Sequence, residues 1–265
     1  VYEEFNRGQD SDPRQAYAKM NELLYPTHPY GTQTTIGTGE HLKNPSMVKI
    51  QKFFRTYYAP NNMAVILAGD IDYDRTIAMV DKHFGGWKKH DVPAFTFTPE
   101  KPMSAPVSAV VLGPEAEWVD LGWRFDGYAK GVEPMLELID GILSNGKAGL
   151  IDLELKQAQK VLDAYSYANV STDYAQFNMH GEPKEGQTLE QVQGLLLDQL
   201  EALKRGDFEG WLIEAVVNDK RQQQIRYWNE NNGLRAAAMT DAFILNKKWK
   251  EVVDLHDRMG KITKQ

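Results

Sequence analysis

The sequence predicts an α+β protein of two domains, each an antiparallel-rich β-sheet with helices packed on it. Three observations carry that expectation. A chain of 265 residues exceeds the usual length of one domain, so two compact bodies of about 100–150 residues each are expected. Helical spacing and short strand-like apolar runs occur in both halves. Between the halves, Pro93, Pro99, Pro102 and Pro106 punctuate a stretch that reads as an extended crossover, placing the boundary between residues 1–98 and 99–265.

In the first half, Val1, Tyr2 and Phe5 give an apolar side to a segment whose Glu3, Glu4 and Arg7 favour helix, so the sequence opens inside an element. Asp12-Pro13 starts a helix with Ala16, Met20, Leu23 and Leu24 along one side, and Tyr25-Pro26 ends it. Asn44-Pro45-Ser46 starts another, carrying Val48, Phe53, Phe54 and Tyr57 and closed by Ala59-Pro60-Asn61-Asn62. The unbroken apolar run Met63–Ala68 is expected to be a buried strand. Asp70-Ile71-Asp72 then leads into a helix with Ile77, Val80 and Phe84, stopped at Gly85-Gly86.

The second half begins with two expected strands, Val107–Leu112 and Trp118–Phe125, separated by a Gly113-Pro114 turn. Helices over Glu133–Leu143 and Leu150–Gln159 follow. Alternation from Ala164 to Met179 around Ser171-Thr172-Asp173 marks a hairpin, and His180–Gln187 reads as a polar loop. Thr188 and Gln191 make a capping box for a helix bearing Val192, Leu196, Leu200 and Leu203. A last long helix is expected from Asp207 towards Ile244, and Thr263 reads as the cap of a helix that the sequence does not continue.

Composition excludes several classes of function. With 42% hydrophobic and 25% charged residues, and a net charge of −7 without an acidic tail, the chain is globular and has no basic field for nucleic acid. The absence of cysteine removes disulfides, thiolate metal sites and cysteine nucleophiles, and leaves the compartment open. No apolar run approaches the ~20 residues of a membrane span, and a targeting segment would have to lie outside this sequence.

Several short motifs then occur in a telling order: Glu3-Glu4 on a helix, Asp10-Ser11-Asp12-Pro13, His28-Pro29-Tyr30-Gly31, Ile36-Gly37-Thr38, Tyr57-Tyr58-Ala59-Pro60-Asn61-Asn62-Met63, and His83-Phe84-Gly85-Gly86-Trp87. Together they resemble the end of the catalytic domain of the insulinase/pitrilysin zinc metallopeptidases. The second half is similar to the following, non-catalytic domain of that family, with its Asn145-Gly146 turn, Leu150 helix and Tyr165-Ser166-Tyr167 strand.

That resemblance implies a mitochondrial-processing-peptidase-like fold and a parent that hydrolyses peptides or unfolded proteins with zinc-activated water. Such enzymes carry His-x-x-Glu-His, whose histidines bind zinc and whose glutamate is the base. None of His28, His41, His83, His90, His180 and His256 has that spacing, so these residues alone should neither hold Zn2+ nor catalyse. Aligned on the family pattern, Glu4 is the third zinc ligand of the parent, against the plain reading of a solvated helix carboxylate. Remaining domains, or a partner subunit, would close the substrate chamber. A non-catalytic relative that clamps substrate or serves as a structural subunit is the alternative. The loop style resembles bacterial members that are exported, which points to the periplasm, with the cytoplasm also open.

Three further readings concern single side chains. His28 beside Pro29 reads as a loop anchor rather than a metal ligand. Trp118, Trp123, Phe125 and Tyr128 read as a core face, with a peptide-binding wall as the alternative. Tyr165 and Tyr167 stand where some family members pair a tyrosine with an arginine to grip substrate backbone, but Gly149 occupies the arginine's place.

Overall fold

The computed structural model describes residues 1–264, and the chain divides into two compact units, residues 1–65 with 70–115, and 66–69 with 116–265.

The first unit is built from α1 (Tyr2–Gln9), α2 (Asp12–Leu24), the short α3 (Pro29–Thr32) and α4 (Gly39–Lys43), α5 (Met47–Tyr57) and α6 (Tyr73–Phe84). Local signals in the sequence set these limits. Pro13 sits in the first turn of α2, where its missing N–H removes nothing. The Ser46 hydroxyl caps α5 by accepting from the Lys49 N–H at 3.3 Å, and Asp72 caps α6 by accepting from the Arg75 N–H at 2.8 Å. Neither α5 nor α6 contains a buried residue; Val48 is 78% exposed and Ile77 65%.

Two of the expected strands do not form. Residues 63–68 and 107–112 run without strand pairing, and Leu112 is 91% exposed. A β-strand is held by its neighbour's N–H and C=O groups, and among the described residues all three strands lie in the other unit and pair with one another. Apolar content alone suggested these strands, and it cannot supply the partner that a strand needs.

The second unit is organised by one sheet. β1 (Val119–Asp126) precedes α7 (Glu133–Leu143), and the hairpin β2 (Asp163–Val170) and β3 (Tyr174–Glu182) completes an antiparallel sheet in the order β1-β3-β2. Central β3 places Met179 opposite Leu121 on one side and Ser166 on the other. The helices α8 (Leu189–Arg205), α9 (Trp211–Glu230), α10 (Asn232–Ile244), α11 (Trp249–Val253) and α12 (Leu255–Met259) follow. Ala164, Phe177 and Met179 point from the sheet into a core shared with Leu136 and Leu143 of α7, Val192 and Leu196 of α8, and Val216 of α9. The expected capping box is present, with Thr188 accepting from the Gln191 N–H and Gln191 accepting from the Thr188 N–H at 3.0 Å.

Other boundaries move. β3 continues through His180 to Glu182, so His180 lies on the sheet and not in a loop. The expected helix at 150–159 is realised as π-helical turns over Asp152–Gln157, ending at Gln159 with a φ of 53°. The long final helix is broken in two at Asn231, whose side chain accepts from the Leu234 N–H at 3.1 Å and so caps a new helix. Its start is at Trp211, beyond Asp207. The Thr263 helix start meets a tail without helix up to residue 264, and Gln265 lies outside the described residues.

The close approach of α8 to β3 has a direct test. A Cβ on Gly181 would stand 2.5 Å from Val192 Cγ1, whereas one on Gly194, on the open side of α8, would meet nothing within 4 Å. Gly181→Ala is therefore expected to destabilise the protein by about 1–3 kcal/mol through overpacking. Gly194→Ala is expected to stabilise it by about 0.5–1 kcal/mol by favouring helix. Urea unfolding curves of the two variants should shift in opposite directions.

Candidate functional site

Glu4 lies on α1, exposed, beside the equally exposed Glu3. Among the described residues no three His, Asp or Glu side chains gather closely enough to hold a metal ion. One exposed carboxylate is a single ligand of the three that a catalytic zinc requires. The residues present therefore do not make up a zinc site, and no hydrolytic step is assigned to them.

His28 is held as a loop anchor. It is 1% exposed, its Nδ1 accepts from the Tyr30 N–H at 3.2 Å, and the Phe97 ring meets it edge-on at 4.5 Å. Glu100 Oε1 accepts from the backbone N–H groups of both Thr27 and His28 at 2.7 Å, which fixes the turn before α3.

The aromatic set divides between the two faces of the sheet. Trp123 and Phe125 pack on the core side, Trp123 with its ring centroid 6.2 Å from that of Phe177. Trp118 belongs to the opposite side, where its Nε1 donates to Asp120 Oδ2 at 2.7 Å. Tyr128 lies beyond β1 and donates from its hydroxyl to Glu251 Oε2 at 3.1 Å; burial and that carboxylate push its pKa up to about 12.

The arginine position is closed by backbone geometry. Asp152, 4% exposed, accepts on one carboxylate oxygen from the N–H groups of Asn145 at 2.8 Å, Gly146 at 2.8 Å and Gly149 at 3.2 Å. A Cβ on Gly149 would stand 2.5 Å from the Leu143 carbonyl and 2.8 Å from that same carboxylate. No side chain fits there without a shift, so this turn offers no arginine to Tyr165 and Tyr167.

What the sequence reading missed lies on the polar face of the sheet. With odd-numbered residues of β3 facing the core, the even-numbered ones point away, together with Asp120 of β1 and Tyr165 of β2 directly opposite His180. His180 Nδ1 is 2.7 Å from Asp120 Oδ1 and its Nε2 is 3.6 Å from Glu182 Oε1. The Tyr165 ring stacks on the imidazole, with centroids 4.7 Å apart and planes at 23°. Burial alone would lower the His180 pKa, but the hydrogen bond and charge of Asp120, reinforced by Glu182, outweigh it and the net direction is up. Period-two alternation carried through residue 182 would have located this cluster.

Comparison with known proteins decides the family. The Peptidase M16 inactive domain matches residues 47–219, more than half of the chain. The chain belongs to the M16 peptidase family. It is 27% identical over 210 residues to a zinc protease, PqqE, of Helicobacter pylori, covering 77% of this chain and 47% of that protein. The chain thus spans about half the length of the curated relative it matches. A protease structure from H. pylori is similar in fold over 95% of this chain and 66% of its own, with a TM-score of 0.75 at 21% identity. A Peptidase M16 inactive-domain structure from Pseudomonas fluorescens covers 98% of this chain and 61% of its own, with a TM-score of 0.75 at 15% identity. No helix among the described residues is long and apolar enough to cross a membrane.

Within this M16 chain a second titratable group lies between α7, α9 and β2. The Ser166 hydroxyl donates to Asp140 Oδ1 at 2.8 Å, while Lys220 Nζ is 2.6 Å from Glu137 Oε2 and 3.6 Å from Asp140 Oδ2. Asp140 and Lys220 also line a cavity of about 240 Å³ with Ser144, Asn145 and Asp219. Burial pushes the Asp140 pKa up from 3.8 to about 6, against the lowering influence of Lys220 and Ser166. Burial acts to lower the Lys220 pKa, but Glu137 and Asp140 overturn that and the net direction is up. The cluster welds two helices to the hairpin, and its every member is engaged within it.

The raised Asp140 pKa fixes a pH dependence. Stability contributed by a group whose folded pKa is raised is complete below the unfolded value, here 3.8, and is lost as pH climbs through about 6. The loss is on the order of 1–3 kcal/mol. Asp140→Asn is expected to flatten the fall of the unfolding midpoint across that window, measured by thermal melts at stepped pH. An unchanged slope would show that Asp140 titrates normally.

Proposed function

We propose that this chain is part of a zinc metallopeptidase, with residues 1–98 forming the end of its catalytic domain and residues 99–265 its following non-catalytic domain. The observation that carries the reading is the M16 inactive-domain match over residues 47–219, joined to a relative named as a zinc protease that aligns along 77% of the chain. In the complete protein Glu4 is the third zinc ligand, and the other ligands and the general base come from outside this sequence. The first unit gains its sheet there, when strands from outside this sequence pair with residues 63–68 and 107–112. The second unit does no chemistry; it presents the polar face of its sheet to peptide or unfolded protein substrate, and other domains or a partner subunit close the chamber.

A second reading, a relative that only clamps substrate or serves as a structural subunit, is favoured by the word inactive in the family's description. Both are separated by one comparison on the full-length parent. A peptidase is expected to bind one zinc ion per chain and to cleave peptides, with Glu4→Gln removing both, while the 265-residue chain alone shows neither. A parent that takes up no zinc and cleaves nothing would leave only the clamping or structural role.

A further inference from the structure

We propose that the end of the polar sheet face formed by Trp118, Asp120, Tyr165, His180 and Glu182 is a recognition site for the arginine side chain of an extended peptide. The proposal rests on the reading that the second unit meets peptide substrate, and it names the side-chain chemistry selected there.

Strand parity brings Asp120, Tyr165, His180 and Glu182 to one face, with Asp120, His180 and Tyr165 in a single cross-strand row and Glu182 next along β3, and Trp118, just before β1, joins them through its hydrogen bond to Asp120. The row does not close over itself. Tyr165 is 40% exposed although its ring stacks on His180 and lies 6.3 Å from the Tyr167 ring, so part of its aromatic surface stays accessible. Trp118 stands at the other side of the imidazole, with ring centroids 6.2 Å apart. Two aromatic rings therefore flank a row of ionisable groups, an arrangement that takes a planar cation by stacking and charge together.

Charge complementarity singles out a cation. Asp163, opposite Glu182, is paired with Lys156 at 2.6 Å, and both oxygens of Asp120 are engaged, one with His180 and one with Trp118 Nε1 at 2.7 Å. Glu182 differs from both: among the described residues its ion pair is a long one, to His180 at 3.6 Å, and its side chain is 41% exposed. Asp120, Asp163 and Glu182 all raise the pKa of the Tyr165 hydroxyl, after burial, which shows the negative potential at that ring. A guanidinium seated beside the exposed ring of Tyr165 at the Glu182 end of the row gains aromatic contact and charge together, where a bare ammonium would lose the stacking.

His180 competes with such a cation for Glu182. Facing it are Asp120 from β1, Glu182 on its own strand, and Tyr165 with the Asp163–Lys156 pair from the β2 side. As pH rises above the elevated pKa of His180, the imidazole loses its charge and the site becomes more negative, so arginine binding strengthens.

The test uses the 265-residue chain and two labelled extended peptides, alike except that one carries a central arginine and the other citrulline, its neutral isostere. Fluorescence anisotropy at ~pH 8 is expected to show the arginine peptide binding about fivefold more tightly or better, narrowing towards parity at ~pH 5. Glu182→Gln and Tyr165→Leu should each abolish the preference, and Tyr165→Phe should keep it. Equal binding of the two peptides, or a preference that survives Glu182→Gln, would overturn the arginine site while leaving peptide contact by this domain intact. No binding of either peptide would overturn both.

Discussion

Burying one face of a small antiparallel sheet under helices is the constraint on which the second unit depends. Three strands expose a row of apolar side chains that water disfavours, and Ala175, Phe177 and Met179 of β3 are almost fully withdrawn from it, at 1%, 3% and 0% exposure. They are covered by Val192 and Leu196 of α8 and by Leu136, Leu143 and Val216 of α7 and α9, each buried side chain contributing about 1.5–3 kcal/mol of transfer free energy. Gly181 belongs to the same contact, because only a residue without Cβ lets α8 come so close to the strand.

The polar face is the necessary counterpart of that burial. Side chains alternate along a strand, so each residue committed to the core sets its neighbour outward, and His180 and Glu182 are outward because Met179 and Gly181 are inward. The His180 cluster is thus positioned by core packing and not by a loop. The Asp152 turn works differently: three backbone N–H groups converge on one carboxylate, which orders residues 145–149 and leaves no room for a side chain at Gly149. Any grip on substrate exerted from this sheet has to use the groups on its polar face.

Much of this was legible in the sequence where the cause is local. Thr188 with Gln191, Ser46 and Asp72 supply caps, the run Glu133–Leu143 carries its helical spacing, and the structure forms those helices as read. The hairpin about residues 171–173 was legible for the same reason. Failures came where the outcome depends on a partner. Residues 63–68 and 107–112 have strand composition but no strand beside them, and the apolar sides of α5 and α6 stay exposed. The reading of Glu4 as a ligand rests on the family pattern alone, since nothing on its own helix distinguishes it from Glu3. His180 was misread as loop because a histidine and a glutamate look polar, although they continue the alternation of β3.

Backbone amide hydrogen exchange on the 265-residue chain tests most directly whether the buried sheet is the organising element while the strand-like runs outside it stay unpaired. Amides of Ala175, Phe177 and Met179 are expected to exchange slowest of all, and those of 65–68 and 107–112 at rates close to unstructured peptide. Comparable protection in both sets would contradict the account, because it would mean that the apolar runs have found strand partners and that the first unit holds a sheet of its own.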